Sequence, residues 1–258
     1  MSYGLYISAA GADVQSERIQ IISNNLANVT TPGFKRELAM VQARHSEAIE
    51  EGLAQAGTGS INDVGGGVRV HETLTQYAQG ITKRTGINTD ASLVDTPGKE
   101  MSFFVIEKEG KQYLTRAGNF EFAPNGELQT QQGYRVLSVD GDPIVEDPGL
   151  GAFEEFTGDG AVRQQFGATA YLKIVRPASR GDLVRSGENL FSPLSEVEEV
   201  PFNERNVKGG YLEMSSVNSY REMLQMIEAS RAYESNIRLI QYQDGATGTL
   251  INRVLKQS

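Results

Sequence analysis

The 258-residue chain contains no cysteine, no tryptophan and only two histidines. Without cysteine, a disulfide framework, a thiolate zinc site, an iron–sulfur cluster and a cysteine nucleophile are all excluded. The two histidines, His45 and His71, are too few for a three-histidine metal site, and the sequence shows no partner for either. We therefore predict that the chain holds neither a metal nor a cofactor.

Basic charge is scarce as well, because 24 Lys and Arg stand against 33 Asp and Glu for a net charge of −9. This acidic balance argues against a nucleic-acid or anionic-membrane surface. No apolar run approaches the ~20 residues that span a bilayer, so we predict no membrane insertion. The first residues lack Lys or Arg before Arg18 and make a poor secretory signal. The chain is thus expected in the cytoplasm, or to be exported by a route that reads another signal.

Motifs for catalysis are missing too: the sequence has no GxSxG, P-loop, HExxH or EF-hand pattern. The segments VDGDP and VGGGV lack the strand–loop–helix context of a phosphate or metal loop, so they are interpreted as turns. We predict no catalytic residues and no enzymatic activity.

Glycine and proline are unevenly distributed, which divides the chain into regions. Both are rare at the two ends and frequent between them. This distribution predicts a mixed α and β protein with long N- and C-terminal helices and an inserted, mostly antiparallel β domain. We assign residues 1–34 and 212–258 to a helical assembly domain, 35–66 to an arm or linker, and 67–205 to the β domain.

Each end carries a seven-residue apolar rhythm, the pattern of a coiled-coil contact line. At the N-terminus the two positions hold Leu5, Ala12, Ile19 and Leu26, and Ser8, Gln15, Ile22 and Val29. At the C-terminus they hold Met226, Tyr233, Ile240, Thr247 and Val254, and Met223, Ser230, Ile237, Asp244 and Ile251. The alternative interpretation is two ordinary amphipathic helices on a globular core.

The boundaries of these helices follow from proline and glycine. The N-terminal helix should stop near Thr30 and Thr31, because Pro32 disfavours helix in the residue before it. The C-terminal helix over 214–257 would be roughly 65 Å long. Gly245 and Gly248 mark where it could bend or fray.

The middle of the chain is typical of short strands between turns. Phe103–Ile106 is predicted to be a buried strand that forms a hairpin with Tyr113–Arg116. The turn Pro124–Gly126 and a further strand at Ala170–Val175 continue the pattern. Residues 35–67 are interpreted as a helix or extended arm that enters a flexible loop.

Three asparagines near the end of the first helix, Asn24, Asn25 and Asn28, are poor helix formers. Either they fray the helix, or their amides form hydrogen bonds across an interface between subunits. Together with the heptad positions they define a predicted assembly interface. Its residues are Leu5, Ala12, Ile19, Ile22, Asn25, Leu26, Asn28, Val29, Met223, Met226, Tyr233, Ile237, Ile240, Ile251 and Val254.

Two terminal motifs carry a resemblance that covers nearly the whole chain. Both motifs resemble signatures of the flagellar rod and hook protein family. The N-terminal motif is SNNLANVTTPGFKR at 23–36, and the C-terminal motif is SSVN at 215–218 followed by EMLQMIEASRAYESN at 222–236. Landmarks between them, SFFVI at 102–106 and YLTRAGNFEFAPNGELQTQQGYRVL at 113–137, are similar to that family too. Within it, the opening MSYGLYISAAG and the compact loop at 52–67 are more like the proximal than the distal rod proteins.

The resemblance implies a structural subunit of the bacterial flagellar basal-body rod that polymerises through its terminal helices and transmits motor torque to the hook. It implies other rod subunits and the flagellar type III export apparatus as partners. It also implies a place in the periplasm-spanning rod, reached without a cleaved signal peptide. The alternatives are a distal rod or other axial subunit, an adhesin, or a β-rich binding protein or enzyme with helical oligomerisation arms.

Overall fold

Two long helices lie at the ends of the chain in the computed structural model, which describes residues 3–55, 57–58 and 65–255. Helix α1 spans Tyr3–Ala27, a short helix α2 spans Glu47–Glu50, and helix α3 spans Ser219–Leu255. The predicted mixed α and β class with long terminal helices is confirmed, whereas the coiled-coil character of the helical layer stays a prediction.

Each long helix has a defined boundary at the inner end. Helix α1 stops at Ala27, and a turn follows in which the Thr31 amide donates to the main-chain oxygen of Asn28 at 3.2 Å. Helix α3 starts after Asn218, whose side-chain oxygen accepts a hydrogen bond from the Arg221 amide at 3.1 Å. With 37 residues, α3 is about 55 Å long at ~1.5 Å per residue. It is somewhat shorter than predicted and runs without a break through its two glycines.

The strands are short, and every strand pair among the described residues is antiparallel. In the first half of the chain they are β1 Glu37–Ala43, β2 Val68–Thr75, β3 Thr82–Arg84, β4 Ala91–Leu93, β5 Phe103–Lys108, β6 Lys111–Thr115, β7 Phe120–Phe122, β8 Leu128–Thr130 and β9 Arg135–Val136. In the second half they are β10 Phe153–Phe156, β11 Ala161–Gln164, β12 Gly167–Tyr171, β13 Ile174–Pro177, β14 Leu183–Arg185, β15 Leu190–Pro193, β16 Val197–Glu199, β17 Val207–Gly209 and β18 Tyr211–Glu213. The predicted β5–β6 hairpin is confirmed.

The largest sheet has nine strands and runs in the order β14-β15-β6-β5-β9-β8-β7, with β13 joining β5 to β16 at a branch. The strands β10, β11 and β12 form a separate three-stranded sheet. Three further sheets are two-stranded pairs: β1 with β2, β4 with β17, and β3 with β18.

The chain divides into two compact units. The unit that we call the helical unit comprises Met1–Ala27, Glu37–Gln76 and Asn218–Ser258. The other, the β unit, comprises Asn28–Arg36 and Tyr77–Val217. The division falls at other residues than the predicted domains, because the β1–β2 hairpin groups with the long helices. Residues 37–43, predicted as a helix or an extended arm, form a strand because they pair with β2.

Strand β5 lies at the centre of the β unit and is buried on both faces. Phe104 and Ile106 pack into one hydrophobic cluster, and Phe103 and Val105 pack into a second. Successive side chains of a strand point to opposite faces, so a continuous apolar run suits a strand that is covered on both sides. The apolar FFVI run was therefore a sound indication of a buried strand.

Candidate assembly surface

The two long helices of the helical unit pack closely and run antiparallel. A Cβ atom added at Gly11 would lie 3.0 Å from Nδ2 of Asn236, and one added at Gly4 would lie 2.9 Å from Nε2 of Gln243. At the other end of α1, Nδ2 of Asn25 donates to Oε2 of Glu222 at 3.2 Å. The helices thus approach each other where α1 has glycine or asparagine.

These contacts lie on a line that we call the polar contact line. On α1 its residues Gly4, Gly11 and Asn25 are spaced by multiples of seven, and their partners on α3 have the same spacing. A constant heptad position on each helix keeps the line facing its partner along the helix. Small and polar residues thus form part of the contact between the two helices, and the assembly interface predicted at the apolar heptad positions stays a prediction. The heptad spacing of the glycines is visible in the sequence, but it does not distinguish this line from the apolar positions that repeat at the same spacing.

Asn25 is fully buried within the chain and bridges three elements. Besides Glu222 of α3, its Nδ2 donates to the main-chain oxygen of Glu37 in β1 at 2.8 Å. The Glu37 amide in turn donates to Oδ1 of Asn25 at 2.8 Å. The side chain therefore pairs with strand β1 as a backbone amide would. Within one chain Asn25 therefore connects α1 to β1 and α3, and a hydrogen bond between subunits stays a prediction.

The other predicted interface residues differ in exposure. On α1, Ala12 and Ile22 are buried, and Leu5, Ile19 and Leu26 are half-buried. Asn28 and Val29 are half-buried and follow the helix, as part of the β unit. On α3, Met226, Ile237 and Ile240 are half-buried, and Met223, Tyr233 and Ile251 are exposed. The side chain of Val254 lies outside the described residues.

Helix α3 also exposes large apolar side chains that the heptad analysis did not include. Leu224 is 62% exposed, Ile227 is 50% exposed and Tyr242 is 75% exposed. The other members of this set, which we call the outer face of α3, are Tyr220 and Leu239. Single exposed apolar residues are ordinary, but a series of them along one helix is typical of an interaction surface.

The β unit contains a buried ionic cluster that the sequence did not reveal. Nζ of Lys35 lies 2.6 Å from Oε1 of Glu213, and Nε of Arg116 lies 2.8 Å from Oε2 of the same carboxylate. Arg116 also pairs with Asp95 at 2.8 Å. The Lys35, Arg116 and Glu213 side chains are all fully buried. Burial lowers the pKa of Lys35, and the neighbouring Glu213 carboxylate opposes part of that effect.

This cluster joins the two ends of the β unit. Lys35 lies in the first segment of the unit, and Glu213 lies in its last strand, β18. Gly33 has a φ of 69°, and any side chain there would clash with the main chain of Arg116, which accounts for the glycine of the TPGFKR segment. Nδ2 of Asn189 holds the main-chain oxygen of Pro32 at 2.9 Å. The TPGFKR segment thus contributes mainly to contacts that join the two ends of the β unit.

Two further observations concern sites and membranes. Within 3–55, 57–58 and 65–255, no three His, Cys, Asp or Glu residues are grouped so that they could hold a metal ion. No helix in the same ranges is both long and apolar enough to cross a bilayer.

A well-packed β unit and a pair of long helices with an exposed apolar face define a class of protein: a structural subunit with a helical interaction surface. Comparisons with known proteins identify the family. Three family descriptions match: flagella basal body rod protein over residues 5–35, the D1 domain of flagellar hook proteins FlgE/F/G over 100–175, and the C-terminal region of the basal body rod FlgEFG proteins over 208–253.

Individual relatives agree over almost the full length. The chain is 31% identical to the flagellar basal-body rod protein FlgG of Buchnera aphidicola subsp. Schizaphis graminum, over 93% of this chain and 95% of that protein. It is 30% identical to FlgG of Bacillus subtilis, over 98% and 99%. It is 28% identical to FlgF of Caulobacter vibrioides, over 93% of each. The chain belongs to the flagellar basal-body rod protein family and is a structural subunit of the rod.

Proposed function

We propose that the chain polymerises with homologous axial subunits through its terminal helices, and that the polymer transmits motor torque to the hook. The observation that carries this proposal is the outer face of α3. Its apolar side chains are exposed in a single chain because the polar contact line, on another side of the helix, holds α1.

Physical chemistry favours this use of the two faces. Burying an apolar side chain stabilises a contact by about 1.5–3 kcal/mol, so a row of them is a strong contact surface. A tube built from one repeated chain needs head-to-tail contacts that do not close into a small ring. A helix about 55 Å long offers such contacts along its length.

We place the subunit in the proximal rod rather than the distal rod, because the sequence of its opening residues and the short stretch of sequence at 52–67 favour that type. Relatives of both types match the chain at similar identity. Electron microscopy of purified hook–basal bodies, with the chain located by antibody, tests the assignment. Labelling next to the hook would contradict it.

We also infer export through the flagellar type III apparatus and a structural rather than catalytic role. Deletion of residues 2–30 should stop secretion of the chain from the cytoplasm, which cell fractionation measures. Normal secretion of that deletion variant would contradict the inference. Deletion of 35–50 tells whether the adjacent segment also takes part.

The assembly proposal is tested by placing charge on the outer face. In Leu224→Asp/Ile227→Asp, both substituted side chains are already exposed, so the chain should keep its fold but lose incorporation into basal bodies and motility. Gln112→Asp/Gln132→Asp adds the same number of charges at two exposed positions of the β unit, so it is the matched control and should swim normally. Wild-type motility of the double variant would contradict assembly through this face.

A further inference from the structure

Strand β3 of the β unit forms a basic edge with apolar neighbours, in which two adjacent basic residues point to opposite faces of the strand. Lys83 and Arg84 are both exposed on β3, and no carboxylate of the described residues pairs with either. Ile81 is 80% exposed and Ile87 is 57% exposed on the two sides of them. In a chain of net charge −9, an uncompensated basic patch flanked by isoleucines is an unusual local feature.

The edge of this strand pair is also free. Strand β3 pairs with β18 alone, so its other edge has no strand beside it within the described part of the chain. Unpaired strand edges promote contact with other chains unless charge or cover prevents it. Lysine at such an edge blocks indiscriminate pairing and still allows a partner that carries negative charge.

A second edge of the β unit has the opposite charge. Strand β16 pairs with β13 alone, and Glu196 and Glu198 are exposed on and beside it. Neither glutamate forms an ion pair with the described residues. Leu194, which is 70% exposed, and Phe202, which is 48% exposed, flank this acidic edge.

The basic residues near β16 are already engaged. Arg176, which lies opposite Glu198 in the strand register, has its guanidinium 3.4 Å from the carboxylate of Glu204. Arg205 pairs with Glu199 at 2.8 Å. Glu196 and Glu198 therefore remain available to an outside cation.

We propose that the basic edge of β3 in one copy of this chain docks on the acidic edge of β16 in a second copy. Opposite charges would steer and align the contact, and the flanking apolar residues would supply the burial. Because the two patches belong to different sheets of the same unit, the contact is head-to-tail and repeats from copy to copy. The inference rests on the proposed polymerisation and adds to it a second contact, outside the helices.

Charge reversal tests the pairing. Lys83→Glu/Arg84→Glu should lower the amount of chain in purified hook–basal bodies about tenfold, because like charges would then meet. Glu196→Lys/Glu198→Lys should do the same, and the four changes combined in one chain should restore incorporation. Lys111→Glu/Arg163→Glu, which makes the same change in net charge at other exposed positions, is the matched control and should have little effect.

Cysteine cross-linking identifies the occupant, since the native chain has no cysteine. Two differently tagged copies, one with Lys83→Cys and one with Glu198→Cys, should form a disulfide-linked dimer that carries both tags in mildly oxidised basal bodies. Each variant expressed alone should not.

Two results would overturn the docking inference while the proposed function stands. One is normal incorporation of both charge-reversed variants. The other is a cross-link that joins Lys83→Cys only to a different axial subunit. A chain absent from wild-type basal bodies would overturn both proposals.

Discussion

The helical unit and the β unit differ in how far they bury their large apolar side chains. In the β unit, large side chains such as Phe104, Phe191 and Leu172 are fully buried and pack into continuous clusters. In the helical unit, the buried apolar side chains among the described residues are Ala12, Val14, Ile22 and Ala229, while larger ones on α3 remain exposed.

The difference teaches that the β unit is complete in one chain and the helical unit is not. A core of large buried side chains stabilises a fold by itself. Helices joined along small and polar residues gain little from that source, so most of their stability has to come from packing on something else. Five experiments test this comparison, from the largest expected effect to the smallest.

The sharpest test truncates one large apolar side chain in each unit. Phe104→Ala should lower the free energy of unfolding of the β unit by about 3–5 kcal/mol, because it removes a fully buried ring. Leu224→Ala, at an exposed position of α3, should change the free energy of unfolding of the helical unit by no more than about 0.5 kcal/mol. Urea unfolding measures both. Equal losses would contradict the idea that only the β unit is complete.

The buried ionic cluster is the next target. Glu213→Ala leaves Lys35 and Arg116 buried without this carboxylate, and we expect a loss of about 3–5 kcal/mol. Glu127→Ala removes the partner of Arg135 in a more exposed pair and should cost about 0–1 kcal/mol. Thermal unfolding compares the two variants. A small effect of Glu213→Ala would mean that the cluster does not hold the ends of the β unit together.

Asn25 tests how the helical unit is held. Asn25→Ala should destabilise that unit by about 1–3 kcal/mol, because it removes a fully buried amide that bonds the Glu37 main chain and the buried Glu222 carboxylate. Asn24→Ala removes an exposed hydrogen bond to the Glu37 carboxylate and should have a smaller effect. Hydrogen exchange of the α1 amides reports the difference. Unchanged protection in Asn25→Ala would argue against its bridging role.

Two glycines of the helices should respond in opposite directions. Gly11→Leu should push the helices apart, since even a Cβ atom would lie 3.0 Å from Asn236, and should reduce the helical circular dichroism signal. Gly245→Ala has no atom within 4 Å of its Cβ and should stabilise α3 by up to about 1 kcal/mol. If Gly11→Leu proved as well folded as Gly245→Ala, the close approach along the polar contact line would be refuted.

The smallest effect expected is a pH dependence from Lys35. Its folded-state pKa lies below the ordinary 10.5, so between the two values the unfolded chain binds this proton more tightly. The contribution of Lys35 to the free energy of unfolding should therefore rise with pH in that window, by at most about 1.4 kcal/mol per pH unit. Lys35→Met lacks the titration and is the reference. A wild-type advantage over Lys35→Met that shrinks between pH 8 and pH 10 would contradict this sign.

The sequence predicted the elements that depend on local pattern. The FFVI run, the turns around it and the long seven-residue rhythm in α3 each reflect constraints that act over a few residues, so the strands and helices were recognisable. The β1–β2 hairpin was not recognisable from the sequence, because its strands are separated by 24 residues of chain and pair only through tertiary contact.

The choice of helix face was also beyond the sequence. Both apolar and polar residues repeat every seven positions, so spacing alone could not tell which line would join α1 to α3. Gly11 lies at the contact because glycine allows the helices to approach closely. Asn25 lies there because its amide also forms a hydrogen bond with the Glu37 main chain. The predicted residues on α3 were consequently left partly exposed.

By itself, then, the sequence determined the family, the order helix–β–helix and the absence of cysteine chemistry, since these follow from composition and contiguous motifs. Only the tertiary structure decided that TPGFKR serves mainly to close the β unit and that Lys35 and Arg116 share the Glu213 carboxylate. These residues lie far apart along the chain, and only folding brings them together in a buried environment where each charge requires a partner.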